Sequence, residues 1–230
     1  MRFEILPDAD AVARRAAAFV AAAARSAVAA RGTFTLAVSG GTTPWQMLRA
    51  LAGEDVPWGQ VYLLQVDERV APDGHPDRNL THIRESLAAA PLRPEQVLPM
   101  PVTDPDLEAA AAGYAHTLRA VAGAPPVIDL VHLGLGPDGH TASLVPGDPV
   151  LDVTDRDVAT TGVYQGRRRM TLTYPAIDRA REVLWLATGA SKAEMLARLK
   201  AADPTIPGGR VRQERATVLA DTPAAAGLGG

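Results

Sequence analysis

Asp138 and His140 stand two residues apart in the stretch IDLVHLGLGPDGHTASLVPG, residues 128–147. A carboxylate beside an imidazole is the pairing of a general base with the group that orients it. Both sit in a turn punctuated by Gly134, Gly136, Pro137 and Gly139. The turn follows IDLVHLGL, an almost unbroken apolar run of the kind that forms a strand buried on both faces. A buried strand that exits into such a turn suits a catalytic loop better than a plain connector.

Three further segments carry chemistry-bearing residues. FTLAV (34–38) reads as a strand and runs into Ser39, Gly40, Gly41 and Thr42, with Thr43 as the expected N-cap and Pro44 in the first turn of a helix. A strand, a Gly-Gly turn and a helix N-terminus present free backbone N–H groups and so form an anion site, although a plain strand-to-helix turn fits the same residues. The segment lacks the GK[ST] ending of a P-loop and the dinucleotide GxGxxG. VYLLQV (61–66), a third strand, runs into Asp67, Glu68 and Arg69. By themselves these are a solvated strand end or part of a site. Arg167, Arg168 and Arg169 are, on composition, a solvated run or a phosphate clamp. Lys192, one of two lysines against 21 arginines, falls in the first turn of an expected helix (191–199), where its charge opposes the helix dipole unless an anion binds there.

Composition narrows the function classes. The 230 residues fit one α/β domain, and 47% apolar residues suffice for a sizeable core. A net charge of −3 and a pI near 5.9 argue against a polyanion binder, so anion affinity must be local. Aromatic residues make up 4%, which argues against base stacking and hence a nucleic-acid partner. With no cysteine there are no disulfides, thiolate nucleophiles or cysteine-ligated metals. No apolar run approaches the ~20 residues of a membrane helix, and Glu4, Asp8 and Asp10 precede the first helical arginines, unlike a targeting peptide. The expectation is a cytoplasmic protein with no membrane partner.

The remaining elements position these loops. Expected are a strand at 3–6, an Ala-rich helix capped by Asp8 or Asp10 and ended by Gly32, helices over 80–90 and 106–121, and a short strand in QVLPM (96–100). An antiparallel pair from 158–163 and 169–173, a helix over 174–181, strands at 183–188 and 216–219, and a frayed tail complete the chain. His75 and His82 read as an exposed loop residue and a helical residue without a chemical role, and His132 as a hydrogen-bonded strand residue. Alternating strands and helices imply an α/β fold around one mostly parallel sheet. In such sheets ligands bind beyond the carboxyl ends of the strands, so SGGTTP, DER and GPDGH can open onto one crevice.

The segments LAVSGGTTP (36–44), VDERVAPDGHPDRN (66–79), HLGLGPDGHTASLVPG (132–147), RMTLT (169–173) and LATGASKAEML (186–196) together resemble the 6-phosphogluconolactonases, within a superfamily shared with glucosamine-6-phosphate deaminases. The resemblance implies a single three-layer, Rossmann-like domain over 1–230. It also implies hydrolysis of 6-phospho-D-glucono-1,5-lactone, the second step of the oxidative pentose phosphate pathway. A monomer or weak homodimer is expected. Ser39, Gly40, Gly41, Thr42, Arg169 and Lys192 would cradle the phosphate. Asp67 and Arg69 would face the sugar ring and its carbonyl, and Asn79 matches a polar position of the DER loop. His140 would be the base, with Asp138 beside it, and no metal or organic cofactor is implied. Departures are Arg78, where a serine is frequent, and QGRRR in place of a lysine- or proline-rich run. Neither Ser39 nor Ser143 lies in a GxSxG elbow. Two other activities share the scaffold: a sugar-phosphate deaminase or isomerase, which would carry a Glu after the DGH motif, and a non-catalytic sugar-phosphate sensor.

Overall fold

A computed structural model describes residues 1–228. The strands are β1 (Arg2–Leu6), β2 (Phe34–Val38), β3 (Val61–Gln65), β4 (Asp67–Arg69), β5 (Val97–Leu98), β6 (Leu130–Gly134), β7 (Val158–Thr160), β8 (Arg169–Leu172), β9 (Glu182–Ala187) and β10 (Ala216–Asp221). The helices are α1 (Ala9–Arg31), α2 (Thr42–Leu51), α3 (Asn79–Ser86), α4 (Leu107–Ala122), α5 (Tyr174–Asp178) and α6 (Ala193–Lys200).

Seven strands form one sheet in the order β1-β10-β9-β6-β2-β3-β5, and every neighbouring pair is parallel. Alternate residues feed the two faces, as the pleat requires. Phe34, Leu36, Leu63, Leu184 and Leu219 join one core with α1, α2 and α3. Ala37, Leu64, Val131, Trp185 and Val218 join the other with α4, α5 and α6. A sheet covered on both sides explains why its strands read as continuous apolar runs. The expected α/β fold is therefore present. The antiparallel pair gains a member: β4 pairs with β8, which pairs with β7.

The chain enters the large sheet's centre at β2, builds outward through β3 to β5, then returns to lay β6 on the other side of β2. Loops leaving β2 and β6 thus diverge from adjacent strands. That reversal of strand order is where α/β sheets open a crevice.

Local chemistry sets the helix ends. Asp8 is the N-cap of α1, accepting from the Ala11 N–H at 2.7 Å, and Gly32 (φ +79°) ends it. Gly41, rather than Thr43, is the N-cap of α2, because the Thr43 hydroxyl is paired with that of Thr188 at 2.7 Å. The expected fraying of the tail is not seen through Leu228. Ala224–Leu228 is a 3₁₀ turn, anchored by the Ala224 N–H donating to Asp221 Oδ1 at 2.8 Å. Gly229 and Gly230 lie outside the described residues.

Candidate active site

A cleft of about 370 Å³ opens where the loops after β2, β3, β6 and β9 converge. Its walls include Ser39, Gly40, Gly41 and Thr42 from the β2 exit, Asp67, Arg69 and Asn79 from the β3–α3 segment, His140 from the β6 exit, Arg169 on β8, and Lys192 before α6. Asp138 does not line the cleft and stands behind His140. Arg167 and Arg168 are not part of the walls.

The β6 exit is a tight turn. The Gly136 N–H donates to the His140 carbonyl at 2.8 Å and the Gly139 N–H to the Gly136 carbonyl at 3.1 Å. His140 Nδ1 lies 2.5 Å from Asp138 Oδ1, which also accepts the His140 backbone N–H at 3.2 Å. A carboxylate on Nδ1 fixes the tautomer and leaves Nε2 with the lone pair. Burial alone would raise the Asp138 pKa, but hydrogen bonds donated by the His140 side chain and backbone, and by Tyr164, hold it below the usual carboxylate range. The Tyr164 hydroxyl donates to Asp138 Oδ2 at 3.0 Å.

The β2 exit is held by β6. The Ser39 N–H donates to His132 Nδ1 at 3.3 Å, and the Ser39 hydroxyl to the His132 carbonyl at 3.1 Å. Gly40 is pressed on Asn79, where a Cβ would lie 1.9 Å from Oδ1. Gly41 has φ +130°, which only glycine adopts without strain.

The Asp67-Glu68-Arg69 strand divides by the pleat. Asp67 and Arg69 face the cleft. Asp67 accepts from the Ser143 hydroxyl at 2.6 Å and from Asn79 Nδ2 at 3.4 Å. Glu68, fully buried, points the other way. It accepts the N–H groups of Asn79 and Leu80 at 2.8 and 2.9 Å, which caps α3, and lies 3.1 Å from Arg78 Nε. The arginine that departs from the family pattern thus neutralises a buried carboxylate.

Positive charge gathers beside Asp67, where Arg169 on β8 stands opposite Arg69 on β4 in the antiparallel ladder. Arg169 is buried, its Nε has no protein partner, and burial holds its pKa below the ordinary arginine range. Arg69 Nε and Asn79 Oδ1 are likewise buried without partners. Protein partners are thus missing for polar atoms of three residues that line the cleft. Lys192 Nζ donates to the Leu135 carbonyl at 2.7 Å, and burial lowers its pKa against the attraction of Asp138. The arginine run therefore splits: Arg169 enters the cleft, Arg167 pairs with Asp77 at 2.8 Å, and Arg168 is exposed. Among the described residues no cluster of three His, Asp or Glu side chains is arranged to hold a metal, and no helix is long and apolar enough to cross a membrane.

The model for glucosamine-6-phosphate isomerases/6-phosphogluconolactonase matches residues 7–220. The chain belongs to that family. It is 39% identical over 208 residues to a 6-phosphogluconolactonase of Synechocystis sp. (strain PCC 6803), covering 87% of this chain and 86% of that one. Identity to a 6-phosphogluconolactonase of Mycobacterium tuberculosis (strain H37Rv) is 38% over 240 residues, covering 98% and 97%. The crystal structure of a 6-phosphogluconolactonase from Thermotoga maritima matches with a TM-score of 0.84 at 26% identity, over 96% of this chain and 98% of that one. Within this family fold, sequence reasoning missed Tyr164 as the partner of Asp138 and Ser143 as the partner of Asp67. Tyr164 opens the hairpin turn between β7 and β8, a stretch with no periodic signal. His132 is hydrogen-bonded as expected of a histidine inside an apolar strand, and its partner is Ser39.

Proposed function

We propose that the chain hydrolyses 6-phospho-D-glucono-1,5-lactone to 6-phospho-D-gluconate, with His140 as general base. The observation that carries this reading is one cleft holding both a carboxylate-oriented imidazole and a cationic wall with unpaired donors. The names and identities of the relatives support it.

Water attacks the C1 carbonyl while His140 Nε2 takes its proton. Proton transfer of this kind contributes roughly 10²–10⁴-fold. Asp138 stabilises the resulting imidazolium. Arg69 stabilises the oxyanion that develops at C1, since charge on the carbonyl oxygen grows only toward the transition state. The C1–ring-oxygen bond then breaks, and the imidazolium returns its proton to the leaving alkoxide. Arg169, Lys192 and the Ser39–Thr42 turn hold the phosphate, whose binding energy orients a ring it never reacts with. Asp67 and Asn79 bind ring hydroxyls. A lactone is an activated ester, so a base with electrostatic help suffices.

The experiment is a direct rate measurement on freshly made lactone, corrected for spontaneous opening, beside glucosamine 6-phosphate assayed for ammonia. Hydrolysis without ammonia is expected. Ammonia release with no lactone turnover would assign the site to deamination instead. The segment after His140, TASLVPGDP, offers no second carboxylate of the kind that proton shuttling between sugar carbons needs before Asp148.

A further inference from the structure

Tyr164 links the His140–Asp138 pair to Arg169. It lies in the connection from β7 to β8, where its backbone N–H donates to the Arg167 carbonyl at 2.9 Å and the Arg167 N–H returns a bond at 3.2 Å. Gln165 and Gly166 between them have φ of +50° and +78°, the backbone of a rigid two-residue hairpin turn. Arg167 ties this turn to the segment before α3 through Asp77, at 3.0 Å from Nε. The carbonyl of that same Asp77 accepts from Arg69 at 2.8 Å.

From this fixed base the phenol reaches both working groups. Its hydroxyl donates to Asp138 Oδ2 at 3.0 Å, on the carboxylate oxygen that His140 does not use. Its ring meets the His140 ring edge-on at 5.3 Å, and the Arg169 guanidinium lies over its face at 4.9 Å. A carboxylate held at one oxygen still pivots about its Cβ–Cγ bond, whereas one held at both does not. A cation over a tyrosine face is attracted to the ring.

We propose that Tyr164 is a positioning residue for the reaction: its hydroxyl locks Asp138 behind His140, and its ring seats Arg169 for the phosphate. The inference rests on the reading of His140 as the base. Asp138 is faced by His140 from its own loop, Tyr164 from the β7–β8 connection and Lys192 from the start of α6, so the hydroxyl acts on Asp138 beside one fixed cation.

Two variants separate the two functions. Y164F keeps the ring and loses the hydroxyl. It should lower kcat about tenfold and leave KM within about twofold, the size expected for a hydrogen bond to a charged group. The Asp138 carboxyl, followed by carbon NMR without substrate, should titrate at higher pH than in the wild type. Y164L also removes the ring and should raise KM several-fold beyond Y164F and weaken competition by inorganic phosphate. If Y164F keeps wild-type kcat and a wild-type Asp138 titration in an active enzyme, the role of Tyr164 is overturned and that of His140 stands. If kcat falls only together with the melting temperature while the Asp138 titration is unmoved, Tyr164 is merely structural and the proposal is equally overturned. A wild-type protein inactive on the lactone overturns the reading of the site, while the NMR titration still reports on the Tyr164–Asp138 contact.

Discussion

Gly136 lies so close to the His140 ring that a β-carbon on it would stand 2.1 Å from Nδ1. The glycine is therefore there for the ring's position and not for its own backbone freedom. Gly136→Ala should push the imidazole off Asp138 and cost kcat on the order of 10–100-fold, with phosphate competition retained. His140→Asn sets the floor, a loss of about 10²–10⁴-fold. Steady-state kinetics on the lactone check both, and a G136A enzyme with normal kcat would show that the ring tolerates displacement.

Glu68 and Asp67 are adjacent carboxylates with opposite work. Glu68 is buried on α3 against Arg78, and removing one partner of such a pair costs about 3–5 kcal/mol. Glu68→Gln should thus lower the chemical-denaturation midpoint sharply, while the folded fraction keeps its KM. Asp67→Asn keeps an acceptor for the Ser143 hydroxyl, so it should raise KM and lower the midpoint less than Glu68→Gln. Similar stability losses in both variants would contradict this division.

Much of this was legible in the chain. The apolar runs of β2, β3, β6 and β9 announce strands covered on both faces, and the glycine-rich exits of β2 and β6 announce the crevice. Asp67, Glu68 and Arg69 carry no strand signal of their own, because β4 is extended by pairing with β8, about a hundred residues away in the chain; that pairing puts Asp67 and Arg69 on one side. Tyr164 and Asp138 are 26 residues apart and meet only because the β7–β8 hairpin folds back on the β6 exit. Helix starts were displaced by tertiary bonds, as at Thr43, whose hydroxyl turns to Thr188 instead of the α2 N-terminus.

Arg169 carries a guanidinium that is buried yet unpaired at Nε. Arg169→Ala should raise KM about 10–100-fold, as expected for losing a charge-assisted contact worth roughly 1.5–3 kcal/mol, with a smaller change in kcat. Inorganic phosphate should compete with substrate in the wild type and much less in the variant. Unchanged KM and unchanged competition would move the phosphate site elsewhere.

His132 gives the protein an acid sensitivity unrelated to catalysis. Burial pushes its pKa down to about 3, from an ordinary value of 6.5. The unfolded chain therefore takes up a proton below pH 6.5 that the folded chain refuses. Stability is fully present above pH 6.5 and falls by about 1.4 kcal/mol per pH unit toward pH 3 from this group alone. In urea titrations between pH 7.5 and 4.5, His132→Leu should lose stability less steeply than the wild type as pH falls. Parallel slopes would mean that His132 protonates in the folded state.

A crystal structure with 6-phosphogluconate, the hydrolysis product, tests the central claim most directly. The phosphate should lie on Arg169, Lys192 and the Ser39–Thr42 turn, with the C1 carboxylate within about 3.2 Å of His140 Nε2, the reach of a general base. A product molecule bound with its carboxylate remote from His140, or with its phosphate away from that wall, would contradict the account.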